Sequence, residues 1–230
     1  MSSANQAFVQ TRRSSAQDRC VSSRSSTPGR WTEEPNDRQS RYPMTRHRVV
    51  VSRVFLAASV FGLALLHLLE PSYDTRTRTL SEYALSSSDW VFTVSMLLMA
   101  SGSALVLGAV WSGWPRRRWL LLVWVTGLVV VAAVPTDPGG AVTTGAGTVH
   151  ATAASLAILA LLIAEVATAF TVQSNRIFAG ACALVVVAGL VLASLYGGGA
   201  GERVVVGAHI AWLLSIAGYR SAGGVRDGQS

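Results

Sequence analysis

Nine side chains could do chemistry in a stretch of this chain that is otherwise apolar: His67, Glu70, Asp74, Glu82, Asp137, His150, Glu202, Arg203 and His209. Ionisable groups are costly in hydrocarbon and usually mark a site or a pathway. Three neutral imidazoles with an open fourth position can hold Zn²⁺ and bring the pKa of bound water to about 7. On that reading His67, His150 and His209 are the metal ligands. Asp137 is a fourth ligand or general base, and Arg203 steadies an oxyanion. Asp137, His150 and Arg203 are then the candidate catalytic groups of a membrane-embedded hydrolase acting on lipid-like substrates. The same nine residues also allow a reading without catalysis. They would form a hydrogen-bonded network that binds or moves a small molecule or lipid, or that serves assembly, with Arg203 neutralising Asp137 or Glu202. In a third reading Glu165 and the outer histidines are steps of a proton or redox relay.

The reading without catalysis is the one expected, and the metal-dependent hydrolase is its alternative. The three histidines come from separate segments, with no H-E-x-x-H pair to fix a metal geometry. Zinc is thus a possible cofactor and not a required one. Ser81 stands beside Glu82, but no G-x-S-x-G elbow presents it. Gly197-Gly198-Gly199-Ala200-Gly201 has no following lysine and no preceding strand, so it reads as a flexible outer turn and not as a phosphate loop.

The elements that must position these residues follow from composition. Half of the 230 residues are hydrophobic and only 13% are charged, against about 25% in soluble domains. A membrane span needs about 20 apolar residues. Six candidates occur: Val49 to Leu69, Trp90 to Val110, the short Trp119 to Val134, about Gly145 to Phe170, Ile177 to Tyr196, and about Arg203 to Tyr219. These runs exceed ordinary strands and lack the alternation of barrel strands. The expected fold is all-α, a six-span bundle over residues 44–221. A disordered Arg/Ser-rich tail (1–43) precedes it and a short tail (222–230) follows. Met44 is a candidate for the true start. In this arrangement the three span histidines fall within a slab of roughly 10 Å near the outer helix ends. Glu202 and His209, seven residues apart, share a helix face. Glu165 is expected at the cytoplasmic end of span four, pairing with arginines such as Arg176.

Arginine asymmetry sets the orientation. The net charge is +7, and every basic residue other than histidine is arginine. Arg41, Arg46, Arg48, Arg53, Arg116, Arg117, Arg118, Arg176, Arg220 and Arg226 fall on one side; Arg76, Arg78 and Arg203 fall on the other. The positive-inside rule places both termini in the cytoplasm of a multi-pass protein of the cell membrane. Topology therefore accounts for the basic charge, and nucleic acid is not an expected partner; the bilayer is. Arg12-Arg13 lacks the hydrophobic region of a twin-arginine signal. Cys20 and Cys182 lie at different depths, so a mutual disulfide is not expected.

Local grammar adds detail. Thr79-Leu80-Ser81-Glu82 matches a capping box and predicts a short helix over about 80–87. Pro135-Thr136-Asp137-Pro138-Gly139-Gly140 predicts a tight turn that fixes Asp137, with Thr143 or Thr144 capping span four. Trp90, Trp111, Trp114, Trp119 and Tyr196 fit an interfacial aromatic belt. Ala100/Ala104, Ala179/Ala183 and Gly189/Ala193 read as packing seams.

His67-Leu68-Leu69-Glu70-Pro71, Leu80-Ser81-Glu82-Tyr83-Ala84, Trp90, Pro135-Thr136-Asp137-Pro138, Gly147-Thr148-Val149-His150 and Gly201-Glu202-Arg203 together resemble an uncharacterised family of bacterial and archaeal membrane proteins, the domain of unknown function 998. The resemblance spans roughly residues 50 to 220; the residues before Arg46 find no counterpart. It implies a six-span helical membrane protein and no established activity.

Overall fold

Each apolar run becomes a helix because, in lipid, a helix satisfies every backbone group within its own segment. A computed structural model of the chain describes residues 46–110, 118–140, 144–171, 175–196 and 198–223. These form six α-helices: α1 (Arg46–Leu69), α2 (Asp89–Val110), α3 (Arg118–Ala133), α4 (Gly145–Thr171), α5 (Arg176–Tyr196) and α6 (Gly199–Gly223). Two short 3-10 helices, Ser81–Leu85 and Pro138–Gly140, complete the elements, and the described residues contain no strand. Five helices are long and apolar enough to cross a membrane, and α3 is a shorter apolar helix of 16 residues. At 1.5 Å per residue α3 is about 24 Å long. The chain is a multi-pass membrane protein. The tail predicted over 1–43, Met44, Cys20, Trp111 and Trp114 lie outside the described residues.

Successive helices pack on one another, and α6 returns against α1 to close the ring while also touching α2 and α4. Small residues allow the close approaches. Ser52 donates its hydroxyl to the Gly102 carbonyl (3.0 Å), joining α1 to α2. At Gly127 an added Cβ would meet the α4 backbone and Ala157. The predicted Gly189/Ala193 seam is where α5 meets α6, since a Cβ on Gly201 would strike the Gly189 carbonyl and Ala193. Ala179 and Ala183 are both buried; of the Ala100/Ala104 pair only Ala100 is. Trp90, Trp119 and Tyr196 project from helix ends and are exposed.

Two expectations change here. The glycine-rich segment is not a loose turn over its described length. Gly198 alone takes a left-handed backbone (φ 96°). Gly199, Ala200 and Gly201 already belong to the first turn of α6. Gly199 is pressed against the Arg76 and Arg78 carbonyls, where no Cβ would fit. α6 therefore starts a full turn before Arg203. His209 lies away from the outer slab the sequence suggests, because it bonds to Glu165, fifteen residues beyond His150 along α4.

Candidate functional site

The 70–88 segment joins α1 to α2, at the same end of the bundle as the starts of α4 and α6. It is folded by its own polar side chains. Glu70 accepts from the Ser87 hydroxyl (2.8 Å), tying the end of α1 to the approach to α2. The Ser87 and Ser88 hydroxyls hold the Glu70 carboxyl below its usual range. Asp74 accepts from the Arg76 amide (2.9 Å) and the Thr77 hydroxyl (3.0 Å). Those two bonds, the amide first, lower its pKa as well. Both carboxylates are thus consumed locally.

The capping box does not close as written. The 3-10 helix is shorter than predicted, Ser81–Leu85, and its N-cap is Leu80 with no side-chain capping bond. Glu82 is buried and bonds to Arg78 at 2.9 Å, with Thr79 at 3.5 Å. The Glu82 carboxylate raises the Arg78 pKa. The free amide of Leu80 is taken instead by Glu202 of α6, whose Oε2 accepts it at 2.7 Å. A carboxylate at a helix N-terminus satisfies an orphan N–H and opposes the helix dipole favourably. Here it comes from across the bundle.

Arg203 completes the tie. Its Nη1 donates to the carbonyls of Arg78 (2.8 Å) and Gly199 (2.7 Å), and its Nε donates to His67 Nε2 (3.3 Å). Guanidinium has no acceptor, so His67 Nε2 must be the lone-pair nitrogen. His67 Nδ1–H then donates to the Tyr83 hydroxyl (2.6 Å). Tyr83 is fully buried, stacks on Tyr73 (centroids 5.0 Å apart), and lies under Arg203. No ion pair joins Arg203 to Asp137 or Glu202 among the described residues, though the Arg203 charge acts on Glu202. Two carbonyls, an imidazole and an aromatic face hold the guanidinium.

Asp137 turns out to be a helix-capping residue. Its two oxygens accept from the Thr144 amide (3.0 Å) and hydroxyl (2.8 Å). Thr144 in turn caps α4 by accepting from the Gly147 amide (3.0 Å). A Cβ at Gly147 would collide with the Asp137 carboxylate. Each carboxylate oxygen thus accepts one bond from Thr144 at the start of α4.

The three histidines do not gather. His67 is spent on Tyr83 and Arg203. His150 Nδ1 donates to the Val134 carbonyl (2.7 Å). His209 Nδ1 pairs with Glu165 Oε1 at 2.8 Å, both side chains being 0% exposed. Among the described residues no three of His, Cys, Asp and Glu are placed to hold a metal ion. The proposed zinc triad is not assembled, because each ring is claimed by a different partner. Glu165 is likewise not an interfacial acid paired to Arg176. It sits in the buried stripe of α4 with Ala157, Leu161, Ala164 and Thr168.

What the fold does assemble is a hollow beneath the Ser81–Leu85 helix. A groove of about 280 Å³ lies between α4, α5 and α6, with Thr79, Ser81, Thr136, His150, Ser155 and Glu202 among its lining. It adjoins an inner cavity of about 50 Å³ walled by Phe92, Met96, Met99, Trp124, Leu128 and Val131. Ser81, His150, Ala154, Ile158 and Glu202 line both. His150 lines both spaces, and its Nε2 is buried without a hydrogen-bond partner in the protein. With Nδ1–H committed to a carbonyl, the neutral ring offers Nε2 as an acceptor. Two of the nine residues, His150 and Glu202, therefore face a common space. Sequence reasoning missed Trp124, Met96 and Met99, which are indistinguishable from core residues by type, and Tyr83, whose only signal was its place in the Ser81-Glu82-Tyr83-Ala84 motif.

The model of the family described as "Protein of unknown function (DUF998)" matches residues 51–219. No curated protein and no solved structure matches the chain.

Proposed function

Because this chain belongs to the DUF998 family, whose description records no activity, we propose its function from geometry: it binds an amphiphile, a small lipid-like molecule, in the hollow beneath the Ser81–Leu85 helix. One observation carries the reading. A mostly apolar groove carrying a few polar side chains adjoins a smaller apolar cavity, and His150, whose Nε2 has no hydrogen-bond partner in the protein, lines both. Ligand sites are typically apolar pockets with a few polar groups that fix orientation. A hydrogen-bond donor such as a hydroxyl matches His150 Nε2 and the Glu202 carboxylate. A hydrocarbon chain matches Phe92, Met96, Met99 and Leu128. Arg203, His67, Tyr83, Arg78 and Glu82 hold the roof and do not contact the ligand. Arginine asymmetry supports placing this end outside the cell membrane, with both termini in the cytoplasm.

The test uses a long-chain alcohol carrying a diazirine, photolysed with the protein in nanodiscs. Labelled peptides are expected from α4 around His150–Ile158 and from α6 around Glu202–Val206. Ala154→Phe fills the shared wall and is expected to cut that labelling by about tenfold, equivalent to about 1.4 kcal/mol. Labelling confined to lipid-facing residues such as Leu184 and Leu195, and unchanged in Ala154→Phe, would overturn the reading.

A further inference from the structure

Below the inner cavity lies a second polar feature that the amphiphile reading does not use. Glu165 of α4 and His209 of α6 are hydrogen-bonded to each other and fully buried. Glu165 Oε2, His209 Nε2 and the nearby Trp212 Nε1 have no hydrogen-bond partner in the protein. A buried polar atom left unpaired is costly, and titratable groups inside a membrane bundle are retained mainly where they do something.

The pair and the cavity share a wall. Trp124 lines the cavity, and its ring meets the His209 ring edge-on with centroids 5.5 Å apart. Its indole N–H is anchored on the Ser103 hydroxyl (3.0 Å), so the ring is held in place. Val206, another lining residue, lies one helical turn before His209. Trp124 therefore stands between the cavity and the pair.

We propose that Glu165 and His209 form a proton-binding site whose occupancy is linked, through Trp124, to that of the cavity, so that amphiphile binding is proton-coupled. This rests on the cavity being the amphiphile site. With carboxylate and neutral imidazole the pair carries a net charge of −1. Uptake of one proton from solvent makes it net neutral, as a carboxylic acid hydrogen-bonded to a neutral imidazole, the form with no separated charge in a medium that solvates charge poorly. A hydrocarbon chain entering the cavity removes polarisable medium beside the pair, which favours the neutral, protonated state. By linkage, binding takes up a proton and tightens as pH falls.

The other groups that bear on the pair are few among the described residues. From α5 the Cys182 thiol lies within electrostatic reach of Glu165. From α3 and α2 come Trp124 and Ser103, which do not titrate in this range. From α1 the buried polar groups are the Ser52 and Ser59 hydroxyls. Arg118 and Arg176 are the first residues of α3 and α5, at the end of the bundle where α4 finishes six residues after Glu165. His150 and Glu202 line the cavity itself, so the diagnostic quantity is the part of the pH dependence that Glu165→Gln removes.

The probe is the same long-chain alcohol, whose head does not titrate, with affinity measured in nanodiscs from about pH 5 to about pH 9. Wild type is expected to change affinity by up to about tenfold per pH unit over the linked range, and Glu165→Gln to lose most of that slope. Infrared difference spectra of the ligand-free protein are expected to show a protonated-carboxyl band that Glu165→Gln abolishes and Glu165→Asp only shifts. Equal pH slopes in wild type and Glu165→Gln would overturn the coupling while leaving the amphiphile site intact. Absence of the infrared band at every pH would overturn the proton site. Failure of the alcohol to bind wild type at all would overturn the amphiphile reading and the coupling with it, the infrared band then standing alone.

Discussion

A histidine's role here is decided by which of its two nitrogens is already engaged. His67 has both occupied, one by the Arg203 guanidinium and one by the Tyr83 hydroxyl. His150 has one occupied and one unpartnered, and only this ring lines the hollow. His209 is locked to an acid that the sequence places at the wrong depth. The residue types were readable, but their partners were not: the contacts at issue join residues 16, 44 and 136 positions apart. The prediction at this scale concerns Tyr83→Phe, which removes one hydroxyl and nothing else. It is expected to destabilise the protein by about 1 kcal/mol, the net worth of one hydrogen bond. In a double-mutant cycle with His67→Gln the two changes should be clearly non-additive. Chemical unfolding in a fixed detergent reads this; strict additivity would mean the bond contributes nothing.

At the level of elements, the helices were legible nearly to their ends. Hydropathy runs report burial in lipid directly, and Thr144 was recognisable as the cap of α4. The 70–88 segment was legible only as a short helix between charged turns. Its capping group comes from Glu202, which is 122 positions away from Leu80. Two of its carboxyls, Glu70 and Asp74, have depressed pKa values because hydroxyl and amide donors stabilise the ionised form. The sign follows from that depression. The ordering they supply is complete above the pKa these groups have in the unfolded segment. It is lost as pH falls through their lower, folded-state values. Hydrogen exchange of the 70–80 amides is therefore expected to stay slow through mild acid and to accelerate only below the usual carboxylate range. Asp74→Asn should make that exchange faster at neutral pH and flatten its acid dependence. A profile identical in Asp74→Asn would rule out the turn as its source.

For the whole molecule, the ring of helices turns a set of scattered polar residues into two separate places: a roofed hollow near one end and a sealed acid–imidazole pair beneath it. Membrane orientation is testable at this scale. In a background with Cys20 and Cys182 replaced by serine, Thr77→Cys is expected to react with a membrane-impermeant maleimide on intact cells, and Arg176→Cys only after permeabilisation. The reverse pattern would invert the proposed arrangement. Length, apolar runs and arginine asymmetry by themselves determined that the chain is helical, that it threads a membrane several times, and where each helix lies. They could do so because insertion into hydrocarbon is judged segment by segment, from the composition of each run. Only the tertiary structure decided which ionisable groups meet. Asp137 went to a cap, Arg203 to carbonyls and a ring, and Glu165 inward to His209. A hydrogen bond needs its partner within about 3 Å, and a side chain's neighbours at that distance depend on how α6 packs against α1, α2 and α4, which no single stretch of sequence contains.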